Sequence, residues 1–179
     1  MNNQTFSLQP FPSTESLANL KIVGDIARNS HQLTICYMLA GDLKEIAINP
    51  PSNTPSRKHE LWKDTCFEFF LGIKNSPEYW EFNLSPAGHW NVYRFDGYRQ
   101  GMQEEKAFTT LTFNVKNKAD NLTLALNVDL DKIILAEEAI EVAITTVIKH
   151  RDSEVSYWAL IHRGAEADFH LRDSFIVEL

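Results

Sequence analysis

The chain has 179 residues, of which 44% are hydrophobic and 11% aromatic, a composition that excludes general disorder. Its formal net charge of −7, from 17 basic and 24 acidic residues, argues against a nucleic-acid partner, because phosphate backbones usually meet a basic patch. This length predicts one domain over residues 1–179.

Alternation of apolar and polar residues with a period of two predicts β-strands along most of the chain. Strands are expected at 20–28, 33–39, 66–73, 78–85, 89–96, 107–116, 122–128, 142–148, 155–161 and 173–178. Many of these segments are rich in β-branched or aromatic residues. Short, evenly spaced strands favour an all-β fold: an antiparallel β-sandwich of about ten or eleven strands, of Ig-like or jelly-roll type.

Three connecting segments carry distinct signals. The segment 85–88 (Ser-Pro-Ala-Gly) predicts a turn that makes 78–96 an antiparallel hairpin. Three prolines in 49–56 predict a loop that could form a wall or lid of a site near Trp62. The segment 129–138 carries a helical pattern and predicts a short helical connector.

The amino terminus shows no charged start and no continuous apolar stretch, so no secretory signal is predicted. No run approaches the ~20 apolar residues that a membrane-spanning helix needs. Two cysteines are too few for a disulfide scaffold, and both lie in predicted strands. We therefore expect a cytoplasmic protein with no membrane partner.

Polar side chains share one face of two predicted strands. Alternation places Glu68 on one face of 66–73, and places Glu81 and Asn83 together on one face of 78–85. If the strands are neighbours, the three side chains line one surface close to the indole of Trp62. Carboxylates and amides hydrogen-bond to sugar hydroxyls, and an indole covers the apolar side of a sugar ring.

A structural interpretation of the same acids stays open. Arg94 or Arg99 could neutralise Glu68 and Glu81 within the sheet, since buried charges usually require partners. The guanidinium of Arg94 can pair with a carboxylate or stack on a ring. It is expected to stabilise the sheet or to orient a site more often than to contact a ligand.

Signatures of catalysis are largely absent from the chain. It has no nucleophile elbow, no His-Glu-x-x-His and no phosphate-binding glycine loop. His162 and His170 are eight residues apart, which is not a zinc spacing. Glu68 and Glu81 could act as a glycosidase pair only at a suitable separation. We expect no enzyme activity, no metal and no cofactor.

The segments 61–70, 79–86, 157–160 and 168–175 resemble the DOMON-like proteins related to the type 9 carbohydrate-binding module family. Members show a Trp, Asp and Glu pattern that leads into a strand, then a strand that ends in Asn and a turn. The resemblance covers roughly residues 20–179. It implies a β-sandwich that binds sugars, in the best-understood modules by clamping a terminal sugar between two tryptophans.

Position by position, the resemblance assigns Trp62 to one clamp position, Glu68 to a hydrogen-bonding acid and Asn83 to a polar contact. Two positions depart from the family pattern. Glu81 stands where those modules have an arginine that contacts sugar, and Phe169 or His170 stands where the second tryptophan is expected. The charge of the site therefore differs, and the polysaccharide preference of the family is not carried over.

These features predict a non-enzymatic binding module for a small saccharide or a similar polyhydroxylated ligand. Its predicted site residues are Trp62, Glu68, Glu81, Asn83, Arg94, Phe169 and His170. One alternative is a haem-binding DOMON-type domain, with Met38, Met102, His162 and His170 as available axial ligands. Another is a protein-interaction module without a small ligand, whose exposed strand edges serve a partner chain or form a homo-oligomer.

Overall fold

A computed structural model describes residues 2–12 and 19–179. Across these ranges the protein is an all-β sandwich of two antiparallel sheets. Its strands are β1 (Asn2–Ser7), β2 (Gln9–Pro10), β3 (Lys21–Asn29), β4 (Gln32–Ala40), β5 (Cys66–Ile73), β6 (Tyr79–Leu84), β7 (Trp90–Phe95), β8 (Gln103–Glu104), β9 (Phe113–Asn117), β10 (Asn121–Asp129), β11 (Ile140–Lys149), β12 (Val155–Ala159) and β13 (Val177–Glu178).

The strands divide between two sheets. Sheet A has the order β1-β3-β4-β10-β9, and sheet B has the order β2-β12-β11-β5-β6-β7-β8, with β13 added to β11. Three short 3₁₀ turns, at Leu43–Glu45, Leu61–Lys63 and Arg172–Ser174, are the helical elements of the described residues. In these ranges, no helix has the length and apolar character to cross a membrane.

The main hydrophobic core lies between the facing sides of the two sheets. Alternation along β4 buries Leu33, Ile35, Tyr37 and Leu39, while their neighbours in sequence are more exposed. The Tyr37 hydroxyl donates to the main-chain oxygen of Glu68 at 2.7 Å and so joins sheet A to sheet B. Each large apolar side chain buried here contributes roughly 1.5–3 kcal/mol.

Sheet B is buried on both faces, which is unusual for an antiparallel sheet. Every residue of β6 is buried, and so are all of β5 except Ile73. Sheet A covers the inner face. The outer face carries a second apolar cluster, formed by Phe70, Tyr79, Tyr93, Phe95, Ala143 and Phe175, against which Trp62 and Phe169 pack. We call residues 160–176, which bring Phe169 and Phe175 onto this face, the covering segment.

The predicted all-β sandwich is confirmed, and eight predicted strands occur within two residues of their expected bounds. The predicted turn at 85–88 also occurs, with Gly88 at φ 90° and its N–H donating to Ser85 O at 2.9 Å. Gly88 adopts this left-handed backbone because it has no Cβ. The segment β6–β7 is accordingly an antiparallel hairpin.

Other expectations are wrong in detail. The helical connector at 129–138 is instead a series of turns, because Leu130 and Ile134 anchor it in the core. The strand expected at 107–116 begins only at Phe113, since Phe108 and Leu111 bury their side chains from irregular backbone. The strand expected at 173–178 is reduced to β13 after a 3₁₀ turn. The strands β1, β2 and β8 carry too little apolar pattern to be predicted.

Candidate functional site

The outer face of sheet B brings the predicted acids together. In the register of β5 and β6, Glu68 lies opposite Asn83 and Phe70 lies opposite Glu81. Glu68 and Glu81 are therefore diagonal neighbours, with Cα atoms roughly 7–8 Å apart. The period of two in each strand explains why these side chains share one face.

A cavity of about 480 Å³ opens above this face. Five predicted site residues line it: Trp62, Glu68, Glu81, Phe169 and His170. A volume of this size falls in the range of small-molecule sites, which commonly combine apolar walls with a few polar groups. The sheet supplies the floor, and the covering segment and neighbouring loops supply the walls.

Glu68 is a buried carboxylate with an unused oxygen. The side chain belongs to a residue that is 2% exposed. Its Oε2 accepts a hydrogen bond from Thr145 Oγ1 at 3.4 Å, but no described residue donates to Oε1. Desolvation, and then repulsion from Glu81, raises the pKa of Glu68 well above its ordinary value.

Glu81 is also buried but is better supported. Its Oε1 accepts a hydrogen bond from Asn83 Nδ2 at 2.8 Å. Desolvation raises the pKa of Glu81 to about 7, although the Asn83 hydrogen bond and the charge of Arg99 favour the ionised form. Two carboxylates this close do not ionise independently, so the pair retains protons at a higher pH than exposed acids do.

His170 lies beside this pair as a neutral imidazole. The main-chain N–H of Arg99 donates to the Tyr79 hydroxyl at 3.2 Å, and that hydroxyl lies 2.9 Å from His170 Nδ1. The Tyr79 hydroxyl and His170 Nδ1 thus share a hydrogen bond, and His170 Nε2 lies 3.9 Å from Glu81 Oε2. Desolvation, and then the charge of Arg99, lowers the pKa of His170 to about 4.

Asp168 ties the covering segment to the loop between β7 and β8. Its Oδ2 accepts a hydrogen bond from the Tyr98 hydroxyl at 2.5 Å, and its Oδ1 accepts one from Arg99 Nη2 at 2.9 Å. Oδ1 also accepts the N–H of His170 at 3.0 Å. These contacts hold His170 over the sheet at the edge of the cavity.

Trp62 lies in the 3₁₀ turn Leu61–Lys63, outside the main core, and is half-buried. Its ring meets Tyr93 edge to face, with 5.7 Å between centroids. Two contacts fix the chain that follows: Lys149 Nζ lies 2.7 Å from Asp64 Oδ1, and Thr65 Oγ1 donates to Ala47 O at 2.9 Å. The indole is thus held at the cavity by a supported turn.

Two predicted site residues do not line the cavity. Asn83 is fully buried below it, where it supports Glu81 and accepts from Cys66 Sγ at 3.6 Å. Arg94 alternates with Tyr93 and so faces away from the cavity, where it forms ion pairs with Glu78 and Asp96. The structure therefore does not bring Arg94 to the other predicted residues.

The structural interpretation that locks the acids to arginines does not describe this site. Arg99 lines the cavity, but its guanidinium pairs with Asp168 rather than with Glu68 or Glu81. Among the described residues no arginine lies within ion-pair distance of either glutamate. Arg99 acts on Glu81 only as a nearby charge.

Sequence reasoning missed several residues that line the cavity, namely Phe70, Phe95, Val147, Tyr157 and Ala167, and it named Met102 only as a haem ligand. Phe70 follows the same alternation as Glu68 and could have been found from it. Val147 and Tyr157 are register partners on β11 and β12, which only the strand order brings to this face. Met102 and Ala167 lie in irregular segments with no periodic signal.

Other candidate features lie away from the cavity. The proline-containing loop 49–56 packs on the β6–β7 turn, where Ser52 N donates to Ala87 O at 2.9 Å, and none of its residues lines the cavity. His162 Nε2 lies 2.9 Å from Gln9 O. No cluster of three or more potential metal ligands occurs in residues 2–12 and 19–179.

No family model and no curated protein matches the chain. Solved structures match it over most of its length. A protein of Bacteroides uniformis ATCC 8492 to which carbohydrate binding has been ascribed has 12% sequence identity and a TM-score of 0.69, covering 97% of this chain and 84% of that one.

A family 9 carbohydrate-binding module of Caldicellulosiruptor kristjanssonii matches in two complexes. The complex with cellotriose has 10% identity and a TM-score of 0.55, covering 90% of this chain and 74% of the module. The complex with glucose has 10% identity and a TM-score of 0.52, covering 92% and 78%. At such low identity the likeness shows a shared sandwich fold.

Proposed function

We propose that the cavity on the outer face of sheet B binds a small saccharide or a similar polyhydroxylated ligand. The observation that carries this proposal is that two buried glutamates, Glu68 and Glu81, line the cavity, and that Glu81 Oε2 has its nearest basic nitrogen, His170 Nε2, at 3.9 Å, beyond hydrogen-bond distance. An unsatisfied buried acceptor is costly, and a charged one more so. A ligand hydroxyl would supply the missing donor.

The walls of the cavity suit the apolar side of a sugar ring. Trp62 and Phe169 come from different segments, and both line the cavity. An aromatic face can cover the C–H surface of a pyranose while the hydroxyl groups reach polar partners. Met102 and Tyr157 line the cavity and are 48% and 40% exposed, so the site opens to solvent at this side.

The structural likeness supports the same chemistry. Two of the similar structures are complexes of a family 9 module with cellotriose and with glucose, and both share the sandwich fold of this chain. The relation to DOMON-like proteins, the cytoplasmic location and a homo-oligomer through exposed strand edges stay predictions from the sequence.

Binding without hydrolysis is the more economical assignment for the two acids. Glycosidase carboxylates flank the scissile bond from two sides of the sugar. Glu68 and Glu81 instead project from adjacent strands on the same face of one sheet. They would both approach a bound sugar from below, which suits hydrogen bonding rather than acid–nucleophile chemistry.

Haem binding is the second candidate, and one observation favours it: Met102 and His170 line the same cavity. Met38 lies on sheet A, in β4. However, His170 Nδ1 is engaged by Tyr79, and its Nε2 faces Glu81. Acids at the floor would also repel haem propionates. A Soret band on adding haemin, lost in His170→Ala, would favour this candidate over a saccharide.

Isothermal titration calorimetry with a panel of mono- and disaccharides tests the saccharide proposal. We expect weak binding, on the order of micromolar to millimolar, for at least one sugar. Trp62→Ala should weaken binding by about tenfold, Trp62→Phe should retain most of it, and Met38→Ala, an exposed control on sheet A, should leave it unchanged. No heat with any sugar, or equal binding by Trp62→Ala, would contradict the proposal.

A further inference from the structure

When the glutamate pair is ionised, the acceptors in the cavity outnumber its donors. Thr145 and Asn83 each satisfy one oxygen of the glutamate pair, at Glu68 Oε2 and Glu81 Oε1. Glu68 Oε1 is sealed from solvent, and the nearest basic nitrogen to Glu81 Oε2 is His170 Nε2 at 3.9 Å, beyond hydrogen-bond distance. A ligand that fits this floor must therefore bring donors.

The positive charge nearest the glutamate pair, that of Arg99, is already paired with another carboxylate. Arg99 is the cationic side chain among the described residues that line the cavity, and its guanidinium binds Asp168 at 2.9 Å. Asp168 thereby offsets much of the charge that Arg99 would otherwise offer to Glu81. When it is ionised, the glutamate pair has no cation of its own, and it then favours a ligand that carries one.

We propose that the cavity selects saccharides that carry a free amino group, with the ammonium of an amino sugar bound at Glu81 Oε2 and close to Glu68. This inference rests on the proposed saccharide site and names the ligand class within it. An ammonium brings three donors and a positive charge, whereas a hydroxyl brings one donor and no charge. Hydrogen bonds to charged groups are also the stronger ones.

Burial makes this discrimination large enough to measure. Glu68 and Glu81 are 2% and 4% exposed, so water screens their charges poorly. An ammonium beside them favours the ionised form of the pair, which the empty cavity disfavours. The gain from one charged hydrogen bond corresponds to at least about tenfold in affinity.

Calorimetry with matched sugars tests the inference. Glucosamine, galactosamine and mannosamine are compared with the neutral sugars, which exchange the ammonium for a hydroxyl of similar size, and with the N-acetylated sugars, which remove the charge and add an acetyl group. Wild type should bind one amino sugar at least about tenfold more tightly than both counterparts. Glu68→Gln should reduce this preference to less than about threefold while the neutral sugar still binds.

Two further variants test whether lost folding or a general loss of negative charge could explain a reduced preference in Glu68→Gln. Glu81→Gln should also reduce the preference, and a circular dichroism melt confirms that each variant is folded. Glu154→Gln removes one acid from an exposed position and should keep the full preference. An unchanged preference in both cavity variants, with folding intact, would overturn the inference.

The outcomes separate this inference from the proposed function. Equal affinity for an amino sugar and its neutral counterpart overturns the amine selectivity but leaves the saccharide site standing. Binding of cyclohexylamine as tightly as an amino sugar would overturn sugar recognition, because that probe has the amine and no hydroxyl groups. Absence of binding by every probe would overturn both.

Discussion

Replacing Glu81 by glutamine should make the protein more stable at alkaline pH. Glu81 is 4% exposed, and desolvation raises its pKa from an ordinary value of 4.5 to about 7. At about 1.4 kcal/mol per pH unit, this difference corresponds to about 3 kcal/mol of folding free energy. This loss of folding free energy applies only at pH values at which Glu81 is ionised in the unfolded chain.

The sign and the pH window follow from the raised pKa. In the folded state Glu81 holds its proton more tightly than in the unfolded state, so wild-type stability falls as pH rises from 4.5 through about 7. The glutamine has no proton to lose, and its Oε1 can still accept from Asn83 Nδ2. The stability difference should be near zero below pH 4.5, grow across this window and level off at about 3 kcal/mol above it.

Urea unfolding, followed by tryptophan fluorescence at several pH values between 4.5 and 8.5, measures this difference. Glu154→Gln, at an exposed position, is the matched control and should change stability by less than about 0.5 kcal/mol. A Glu81→Gln protein that is no more stable than wild type at pH 8 would show that the carboxylate is well hydrated. The buried acid floor of the cavity would then be wrong.

Three further substitutions test the parts that build the site. His170→Ala should cost about 2 kcal/mol, measured by urea unfolding, because a side chain packed between aromatic rings and bonded to Tyr79 is lost; a change under about 0.5 kcal/mol would contradict the packing. Asp168→Asn should cost less than about 1 kcal/mol overall, since its partner Arg99 is half exposed. Amide hydrogen exchange in the covering segment should nevertheless become faster. Unchanged exchange would argue against the role of Asp168 in holding this segment to the loop between β7 and β8. Gly24→Ala should prevent correct pairing of β3 with β4, because the added Cβ would lie 1.8 Å from Cys36 O; a normal thermal melt would contradict that register.

The fold was largely predictable because alternation survives wherever one face of a strand is buried. In β4 the buried and exposed residues alternate along the strand, and the same pattern in the sequence predicted it. The strand β8 has two residues, and β1 holds few apolar residues, so neither produces such a signal. The connector at 129–138 shows the reverse error, since apolar spacing typical of a helix also suits turns that anchor in a core.

The floor of the cavity was predictable for the same reason, and its walls were not. Alternation alone places Glu68 and Glu81 on faces that coincide once β5 and β6 pair. The covering segment has no period, so Phe169 and His170 were named through a family resemblance. The two arginines show what alternation does not predict. The sequence placed Arg94 at the site, but it is Arg99 that lines the cavity, because of the conformation of its loop, with Arg99 at φ 52°.

A titration of the four tryptophan indole N–H signals by NMR tests the saccharide site within one sample. Trp80, Trp90 and Trp158 are at most 4% exposed and lie in the main core, so they act as internal controls. Addition of a bound sugar should shift the Trp62 signal, assigned by its loss in Trp62→Phe, and leave the other three in place. A sugar that binds while the Trp62 signal stays still would contradict a site in this cavity.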